Sequence, residues 1–171
     1  MSNAERILTV NEQDEVLNSE NKLLVHQQRI LHRAFSIFIF NSEGKMLIQK
    51  RALKKYHSSG LWSNACCSHQ REKEDLKEAI HRRLKEEMGF DCNLKEIFIF
   101  RYDTEIEKDL YENEIDHIFL GKFDGKLSPN KEEVSDFKWI NVKELKEDIL
   151  KNPGEYTYWF KELLKNRLLR I

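Results

Sequence analysis

The sequence has almost no net charge. Its 171 residues include 29 basic and 30 acidic side chains, which leave a net charge of −1 at pH 7. Proteins that bind nucleic acids or other polyanions nonspecifically carry a clear basic excess, so the near balance excludes that class. A hydrophobic fraction of 40% also excludes an intrinsically disordered chain, which combines low hydrophobicity with high net charge.

Long apolar runs and paired cysteines are lacking as well. No segment approaches the roughly 18 to 20 apolar residues that a membrane-spanning helix needs. Residues 1–10 have no apolar core of the kind found in signal peptides. Because the three cysteines, Cys66, Cys67 and Cys92, are an odd set without a secretory signal, we expect reduced thiols and a cytoplasmic location, away from the membrane.

Alternating and helical patterns predict a single domain without repeats. Segments dense in β-branched and aromatic residues indicate strands, and a turn at 41–44 joins the first two as a hairpin. The predicted strands are 33–40, 45–51, 61–69, 94–103, 112–123 and 134–140, and the predicted helices are 72–88, 142–150 and 155–169. Mixed strands followed by helices predict an α+β fold, an α/β/α sandwich around a mixed sheet.

Two charged residues fall on the apolar face of the helix predicted at 72–88. At 100° per residue, Arg83 and Glu87 lie within a stripe otherwise made of apolar side chains. One interpretation is a salt bridge between residues four apart at the edge of the core. The other is a binding site, because a buried charge is costly unless it meets an opposite charge, a metal or a ligand.

Strand alternation predicts two further groups of polar side chains. Glu112 and Glu114 share a strand face, where two carboxylates repel each other unless a cation or a proton lies between them. An exposed acidic edge is the alternative. Cys67 and His69 also share a face, and Cys66 points the other way; a buried cysteine near a surface histidine would have the same spacing.

Histidines at the entry to the first strand complete a candidate metal site. His26 and His32 bring the set to three imidazoles and two carboxylates, the other members being His69, Glu112 and Glu114. Such a set suits a five- or six-coordinate divalent ion such as Zn²⁺, Mn²⁺ or Mg²⁺, and the imidazoles favour a transition metal. The other histidines have structural interpretations: His57 in a polar loop, His81 on a helix flank, and His117 on the strand face opposite the glutamates.

The segment 68–90 resembles a Nudix box, G-x5-E-x7-R-E-U-x-E-E-x-G-U with U apolar. The corresponding positions here are Ser68, Glu74, Arg82, Arg83, Leu84, Glu86, Glu87, Gly89 and Phe90. Nudix hydrolases hold metals with the helix glutamates and so activate water on a diphosphate. Because Arg83 replaces one of these carboxylates, the pattern favours holding a diphosphate without cutting it.

Further motifs resemble type I isopentenyl diphosphate isomerases in order and spacing from about residue 22 to 159. They are His32-Arg-Ala-Phe-Ser36, Arg51-Ala-Leu53, Gly60-Leu-Trp-Ser-Asn64, Cys67-Ser-His69, Arg82-Arg83, Tyr111-Glu-Asn-Glu114 and Tyr158-Trp159. Ser68 replaces the usual glycine. The resemblance implies one Nudix-like catalytic domain over 1–171, with an N-terminal extension at 1–21 and closing helices at 142–171.

The resemblance also implies a reaction that interconverts isopentenyl and dimethylallyl diphosphate. A proton is added at C4 and another is removed from C2 through a tertiary carbocation, in a site that excludes water. The implied catalytic residues are Glu114, with Tyr102 as partner in proton donation, and Cys67 as the base, although the acid and base roles can be reversed. The implied diphosphate ligands are Lys22, Arg51, Lys55 and Arg83, and Trp159 would stack on the cation.

Two metal sites follow from the same resemblance. One transition metal, Zn²⁺ or Mn²⁺, would be held by His26, His32, His69, Glu112 and Glu114. Mg²⁺ bound with the diphosphate would be held by Glu87 and the backbone carbonyl of Cys67. The expected partner is thus a small isoprenoid diphosphate rather than nucleic acid or membrane, and no feature of the sequence indicates an oligomeric state.

Two other functions compete with this one. A Nudix hydrolase of a nucleoside diphosphate derivative would fit the box, but it does not require the pair of Cys67 and Glu114. A non-catalytic metal-binding module would explain the histidines and glutamates, but it leaves Trp159 and the basic residues without a role.

Overall fold

The computed structural model describes residues 5–166 of the chain. Its strands are β1 (Arg6–Val10), β2 (Val16–Asn21), β3 (His32–Phe40), β4 (Met46–Arg51), β5 (Trp62–Asn64), β6 (Cys66–His69), β7 (Leu94–Glu107), β8 (Leu110–Lys122) and β9 (Val134–Ile140). Its helices are α1 (Lys22–Gln27), α2 (Leu76–Met88), α3 (Val142–Lys151) and α4 (Tyr158–Asn166), with a 3₁₀ turn at Pro153–Glu155. Among these residues, no helix combines the length and apolar character required to cross a bilayer.

β3 is the central strand of a mixed sheet. It pairs antiparallel with β6 and parallel with β8, and β7 continues the sheet beyond β8. β4 pairs with β5 and β9, and the β1–β2 hairpin adjoins β3 through Thr9 and His32. The predicted β3–β4 hairpin is confirmed only at its closed end, where Phe40 pairs with Met46, because β3 takes β6 and β8 as its main neighbours.

The two faces of β3 enter different cores. Phe35, Ile37 and Ile39 are fully buried in a core that also contains apolar residues of α2. Phe38, on the opposite face, is buried in a second core with α3 and α4. Helices therefore cover both faces of the sheet, which confirms the predicted α/β/α sandwich.

Two predicted helix starts were wrong by several residues. α2 begins at Leu76 rather than 72, because the Asp75 side chain accepts a hydrogen bond from the Glu78 N–H while the Glu78 side chain accepts one from the Asp75 N–H. α4 begins at Tyr158 rather than 155, because the extended Tyr156 pairs with Trp62 of β5. The predicted helix residues 167–169 lie outside the described range.

The predicted strands 94–103 and 112–123 belong to one longer hairpin. The antiparallel pairing of β7 and β8 continues to Glu107 and Leu110, so β7 extends four residues beyond the predicted end. No element was predicted in the N-terminal extension, yet β1, β2 and α1 occupy residues 6–27. This segment joins the sheet and brings its own side chains to the site.

Candidate active site and metal centre

Four neighbouring strands, β6, β3, β8 and β7, form the floor of the site. Residues that lie opposite each other in paired strands project from the same face of a sheet. Cys67 lies opposite Ser36. His32 lies opposite Glu114, which in turn lies opposite Tyr102. Side chains as far as 82 residues apart in the chain therefore meet on one face.

Helix α1 adds two side chains from the N-terminal segment. Asn21 caps this helix by accepting a hydrogen bond from the Leu24 N–H at 3.1 Å. Lys22 and His26 are four residues apart, so they lie on the same side of the helix. Lys22 reaches the cavity, and His26 is completely buried among the other candidate metal ligands.

The five predicted transition-metal ligands come together as one buried cluster. One potential ligand atom from each lies within 4.8 Å of all the others, and the set is His26, His32, His69, Glu112 and Glu114. His69 Nε2 lies 2.9 Å and His32 Nε2 3.2 Å from Oε1 of Glu114. His26 Nε2 lies 3.3 Å from Oε2 of Glu112. The structure thus gathers every member of the predicted set.

Backbone contacts orient two of the imidazoles for metal binding. Nδ1 of His26 lies 2.6 Å from the Lys22 carbonyl oxygen, and Nδ1 of His32 lies 2.8 Å from that of Ile30. An N–H at each Nδ1 satisfies these contacts and leaves the Nε2 lone pair facing the carboxylates. Burial lowers the pKa of His26 to about 3 and that of His69 to about 4, so both are neutral at pH 7.

The two carboxylates differ sharply in environment. Burial and repulsion from Glu114 raise the pKa of Glu112 well above its usual range. Burial also opposes the charge on Glu114, but the close contacts of its Oε1 with the imidazoles of His32 and His69 hold its pKa well below the usual range. Oε2 of Glu112 is buried without a hydrogen-bond partner. A divalent cation would satisfy this atom and allow both carboxylates to ionise, so the donor set fits such an ion.

The predicted catalytic residues line a cavity of about 490 Å³, a volume that includes its open mouth. The Tyr102 hydroxyl donates to Oε2 of Glu114 at 2.5 Å. Cys67 lies on another strand, and its Sγ is 3.9 Å from Nη1 of Arg51. Burial raises the pKa of Cys67 to about 12, although Arg51 opposes this shift, so the group is a thiol at neutral pH. Cys66 is fully buried in the core on the opposite face, as alternation predicts.

Four cationic side chains line the same cavity: Lys22, Arg51, Lys55 and Arg83. Three of them are held by carboxylates. Lys22 Nζ lies 3.0 Å from Oε2 of Glu5. Lys55 forms an ion pair with Glu133, which also lies 3.3 Å from Nη2 of Arg83. Arg51 instead donates to the backbone carbonyls of residues 57 and 58. This wall can receive an anion with more than one negative charge.

Arg83 and Glu87 form the ion pair that their spacing allows. Burial opposes the charge on Arg83, but Glu87 and its other acidic neighbours raise its pKa. The second oxygen of Glu87 accepts a hydrogen bond from Nε2 of Gln49 at 2.7 Å. Both oxygens of Glu87 are thus engaged by protein donors, and its role in binding Mg²⁺ stays a prediction.

Trp159 of α4 closes one side of the cavity. The residue is 3% exposed, and its indole N–H lies within hydrogen-bond distance of Ser63 Oγ, at 3.1 Å, and of Asn64 Oδ1, at 3.3 Å. These contacts fix the orientation of the ring. Cζ of Arg51 lies 5.4 Å from the ring centroid, so the aromatic face already receives a cationic group.

His57 lies in a loop, as predicted, but this loop turns it into the site. The residue is 5% exposed and lines the cavity, with Nε2 3.5 Å from Oε1 of Glu112. Loop residues follow no periodic pattern, so the sequence does not show which way the His57 side chain points. The only indication of its role was its position two residues after Lys55. His81, 2.6 Å from Asp91, and His117, beside Asp14 and Glu96, lie outside the cluster as predicted.

Comparisons with known proteins find relatives that share most of the length of the chain. The NUDIX domain family matches residues 30–160. Isopentenyl-diphosphate Delta-isomerase 2 of Photorhabdus laumondii is 48% identical over 160 residues, which cover 94% of this chain and 90% of the relative. The isopentenyl-diphosphate Delta-isomerase of Serratia proteamaculans is 44% identical over 162 residues, covering 95% and 90%.

Solved structures share the same fold. DR0079 from Deinococcus radiodurans has a TM-score of 0.79 at 20% identity, covering 96% of this chain and 99% of its own. A MutT protein from Methanosarcina mazei has a TM-score of 0.64 at 18% identity, covering 82% and 94%. At this level of identity the likeness concerns the fold alone.

Proposed function

The chain belongs to the NUDIX domain family and, within it, to the isopentenyl-diphosphate Delta-isomerases, and we propose that it interconverts isopentenyl and dimethylallyl diphosphate. The observation that carries this proposal is the meeting of a thiol and a phenol–carboxylate pair in one cavity beside four cations. A reaction that moves a double bond needs proton transfer at two carbons, and a diphosphate substrate needs cations. We also propose that residues 1–171 act as a single catalytic domain.

The cations would bind the diphosphate and so orient the hydrocarbon chain. Lys22, Arg51, Lys55 and Arg83 share one cavity with the proton-transfer groups, so one bound molecule can contact both. A tertiary carbocation would be stabilised by the face of Trp159, by about 2 kcal/mol when desolvated. The buried walls would exclude water, which otherwise traps a cation.

Two groups on different strands would carry the protons. Glu114, paired with Tyr102, is the proposed donor to C4, and Cys67 is the proposed base at C2. Because burial raises the pKa of Cys67 to about 12, this assignment requires cations near Sγ to promote ionisation of the thiol. In the reverse assignment the thiol donates to C4 and Glu114 accepts from C2.

The histidine–glutamate cluster would hold one divalent transition metal, Zn²⁺ or Mn²⁺. The ion would supply positive charge that keeps Glu112 and Glu114 ionised and fixes their orientation. Glu87 and the Cys67 carbonyl are the proposed ligands of Mg²⁺ that arrives with the diphosphate. The free thiols of Cys66, Cys67 and Cys92 support the proposed cytoplasmic location.

Product analysis in D₂O tests the isomerase proposal. Isopentenyl diphosphate incubated with the protein should give dimethylallyl diphosphate with deuterium in the methyl group derived from C4, as seen by proton NMR. Phosphorus NMR should show an intact diphosphate, because Arg83 stands where a hydrolase carries a carboxylate. Release of phosphate would favour the hydrolase, and double-bond migration without solvent deuterium would favour a direct hydrogen shift. Metal binding without either reaction would favour the binding module.

Exchange without isomerisation separates the two proton assignments. If Glu114 transfers the proton at C4, the Cys67→Ala variant should still exchange the C4 protons of isopentenyl diphosphate with D₂O while forming no product. If Cys67 serves C4, the same variant should lose this exchange as well. Deuterium at C4 of the recovered substrate is measured by proton NMR, with Glu114→Gln as the reciprocal variant.

A further inference from the structure

The two glutamates of the metal centre divide their oxygens in the same way. Glu114 directs Oε1 towards the imidazoles and receives the Tyr102 hydroxyl on Oε2. Glu112 directs Oε2 towards His26, at 3.3 Å, and its Oε1 lies 3.5 Å from Nε2 of His57. His57 therefore stands in the same relation to Glu112 as Tyr102 does to Glu114.

The loop that carries His57 is anchored on both sides. The carbonyl of His57 accepts a hydrogen bond from Nη2 of Arg51 at 3.2 Å, and the carbonyl of Ser58 accepts one from Nε of Arg51 at 3.1 Å. The Ser58 N–H donates to Oε1 of Glu107 at 2.8 Å. The ring of Tyr56 packs edge-on at 4.4 Å between centroids. The imidazole is thus held in place by groups outside the metal cluster.

The neighbours of the ring permit the tautomer that can donate to Glu112. The Ser58 hydroxyl lies 3.4 Å from Nδ1 of His57 and can donate to it. With Nδ1 as acceptor, the hydrogen resides on Nε2, which faces Glu112. The separation of 3.5 Å between Nε2 and Oε1 exceeds a good N–H···O bond of about 2.7 to 3.2 Å, so a shift of a few tenths of an ångström would form it.

We propose that His57 is a positioning residue that donates its Nε2–H to Oε1 of Glu112 and thereby presents Oε2 to the transition metal. This inference rests on the metal site in the proposed function. Carboxylate ligands are usually hydrogen-bonded by outer groups, and loss of such a group typically lowers metal affinity by about 10- to 100-fold. His57 does not belong to the cluster of five ligands, so its effect passes through Glu112.

The test measures Mn²⁺ binding by the metal-stripped full chain, by electron paramagnetic resonance. His57→Phe keeps a packed ring without a donor, and it should bind Mn²⁺ about 10- to 100-fold more weakly than wild type. His57→Gln places an amide N–H near the position of Nε2, and it should restore most of the affinity. His81→Ala, on the flank of α2, is the matched control and should bind like wild type.

The outcomes distinguish a failure of the proposed role of His57 from a failure of the metal site itself. Mn²⁺ binding by wild type that is lost in His69→Ala establishes the site, and normal binding by His57→Phe would then overturn the role of His57. Equal loss in His57→Phe and His57→Gln would overturn a donor role, because packing or direct ligation would explain it. No binding by wild type would remove the metal proposal on which this inference rests.

Thermal unfolding of the metal-free variants shows whether each one folds. If His57→Phe does not fold, His57→Gln and His57→Asn carry the comparison, because only glutamine places its amide N–H near the position of Nε2. Tight Mn²⁺ binding by the glutamine variant alone would support the proposal. Equal binding by both amides would contradict it.

Discussion

The proposed metal end and the proposed diphosphate end of the cavity are built in opposite ways. At the metal end, buried imidazoles and carboxylates face one another, and one carboxylate oxygen has no hydrogen-bond partner. At the diphosphate end, Lys22, Lys55 and Arg83 already form ion pairs with carboxylates of the protein. The metal end therefore lacks a positive charge, which a bound cation would supply. At the diphosphate end, by contrast, the basic side chains must give up ion pairs within the protein before they can bind an anion.

This difference implies unequal sensitivity to substitution. Removing a ligand from the metal end leaves other buried polar groups without a counter-charge, which is costly. Glu5 and Glu133 at the diphosphate end are partly exposed, and an ion pair near solvent contributes only about 0 to 1 kcal/mol, so removing either carboxylate costs little. We therefore expect substitutions at the metal end to cause large losses of metal affinity. Substitutions of carboxylates at the diphosphate end should change anion affinity only slightly, and sometimes favourably.

The largest effect should come from the thiol of Cys67, which lines the same cavity. Cys67→Ala should reduce turnover by at least about 1,000-fold, or about 4 kcal/mol in activation free energy, because one of the two proton-transfer groups is lost. Its fold should persist, as judged by circular dichroism. Cys66→Ala and Cys92→Ala should keep most activity, since neither side chain lines the cavity. Equal loss from Cys66→Ala would contradict the assignment of faces.

Loss of a metal ligand should come next and should distinguish the two metal sites. His69→Ala or Glu112→Gln should lower tight transition-metal content, expected near one ion per chain, by weakening affinity at least about 10- to 100-fold. Glu87→Gln should spare this ion and instead raise the Mg²⁺ concentration needed with substrate. Metal analysis of the purified proteins measures the first effect. An empty transition-metal site in Glu87→Gln would be evidence against two separate sites.

A carboxylate at the diphosphate end should have a smaller effect of opposite sign. Glu133 forms ion pairs with both Lys55 and Arg83. Glu133→Gln should therefore free Lys55, leave Arg83 paired with Glu86 and Glu87, and tighten binding of inorganic pyrophosphate by roughly threefold. Isothermal titration with the full chain measures this change. Glu132→Gln is the control: it removes the adjacent carboxylate, whose partner Lys54 is exposed, and it should leave pyrophosphate binding unchanged. Weaker binding in Glu133→Gln would break the contrast between the two ends.

The smallest effect concerns the ion pair that positions Lys22. Burial opposes the charge on Glu5, but Lys22 and Arg71 lower its pKa from 4.5 to about 2. A carboxyl with a lowered folded-state pKa stabilises the fold above its unfolded pKa, and this contribution is lost as pH falls from about 4.5 towards 2. Glu5→Gln should remove this part of the pH dependence, worth less than about 1 kcal/mol because solvent screens the pair.

Urea unfolding between pH 2.5 and pH 6 measures that contribution. Glu12→Gln, at an exposed position paired with Arg101 at 3.5 Å, is the control. Identical pH profiles for Glu5→Gln and wild type would show that Glu5 does not stabilise the N-terminal segment.

Much of the site could be predicted from the residues because strand alternation is a local property. The shared faces of Cys67 with His69 and of Glu112 with Glu114 required only a period of two. Arg83 and Glu87 could be placed in the apolar stripe of α2 by a period of 3.6. The family resemblance then named the proposed ligands and the proposed catalytic pair, and the structure gathers all five proposed transition-metal ligands in one cluster.

The sequence by itself determined the fold class, the faces of the strands and the identity of the reactive side chains. Only the tertiary structure decided that β3 pairs in parallel with β8, that the N-terminal segment forms the helix that carries Lys22 and His26, and that the loop at 52–60 turns His57 towards Glu112. Strand register and loop direction depend on hydrogen bonds between distant segments, such as those from Arg51 to the carbonyls of residues 57 and 58. Local periodicity carries no information about such contacts.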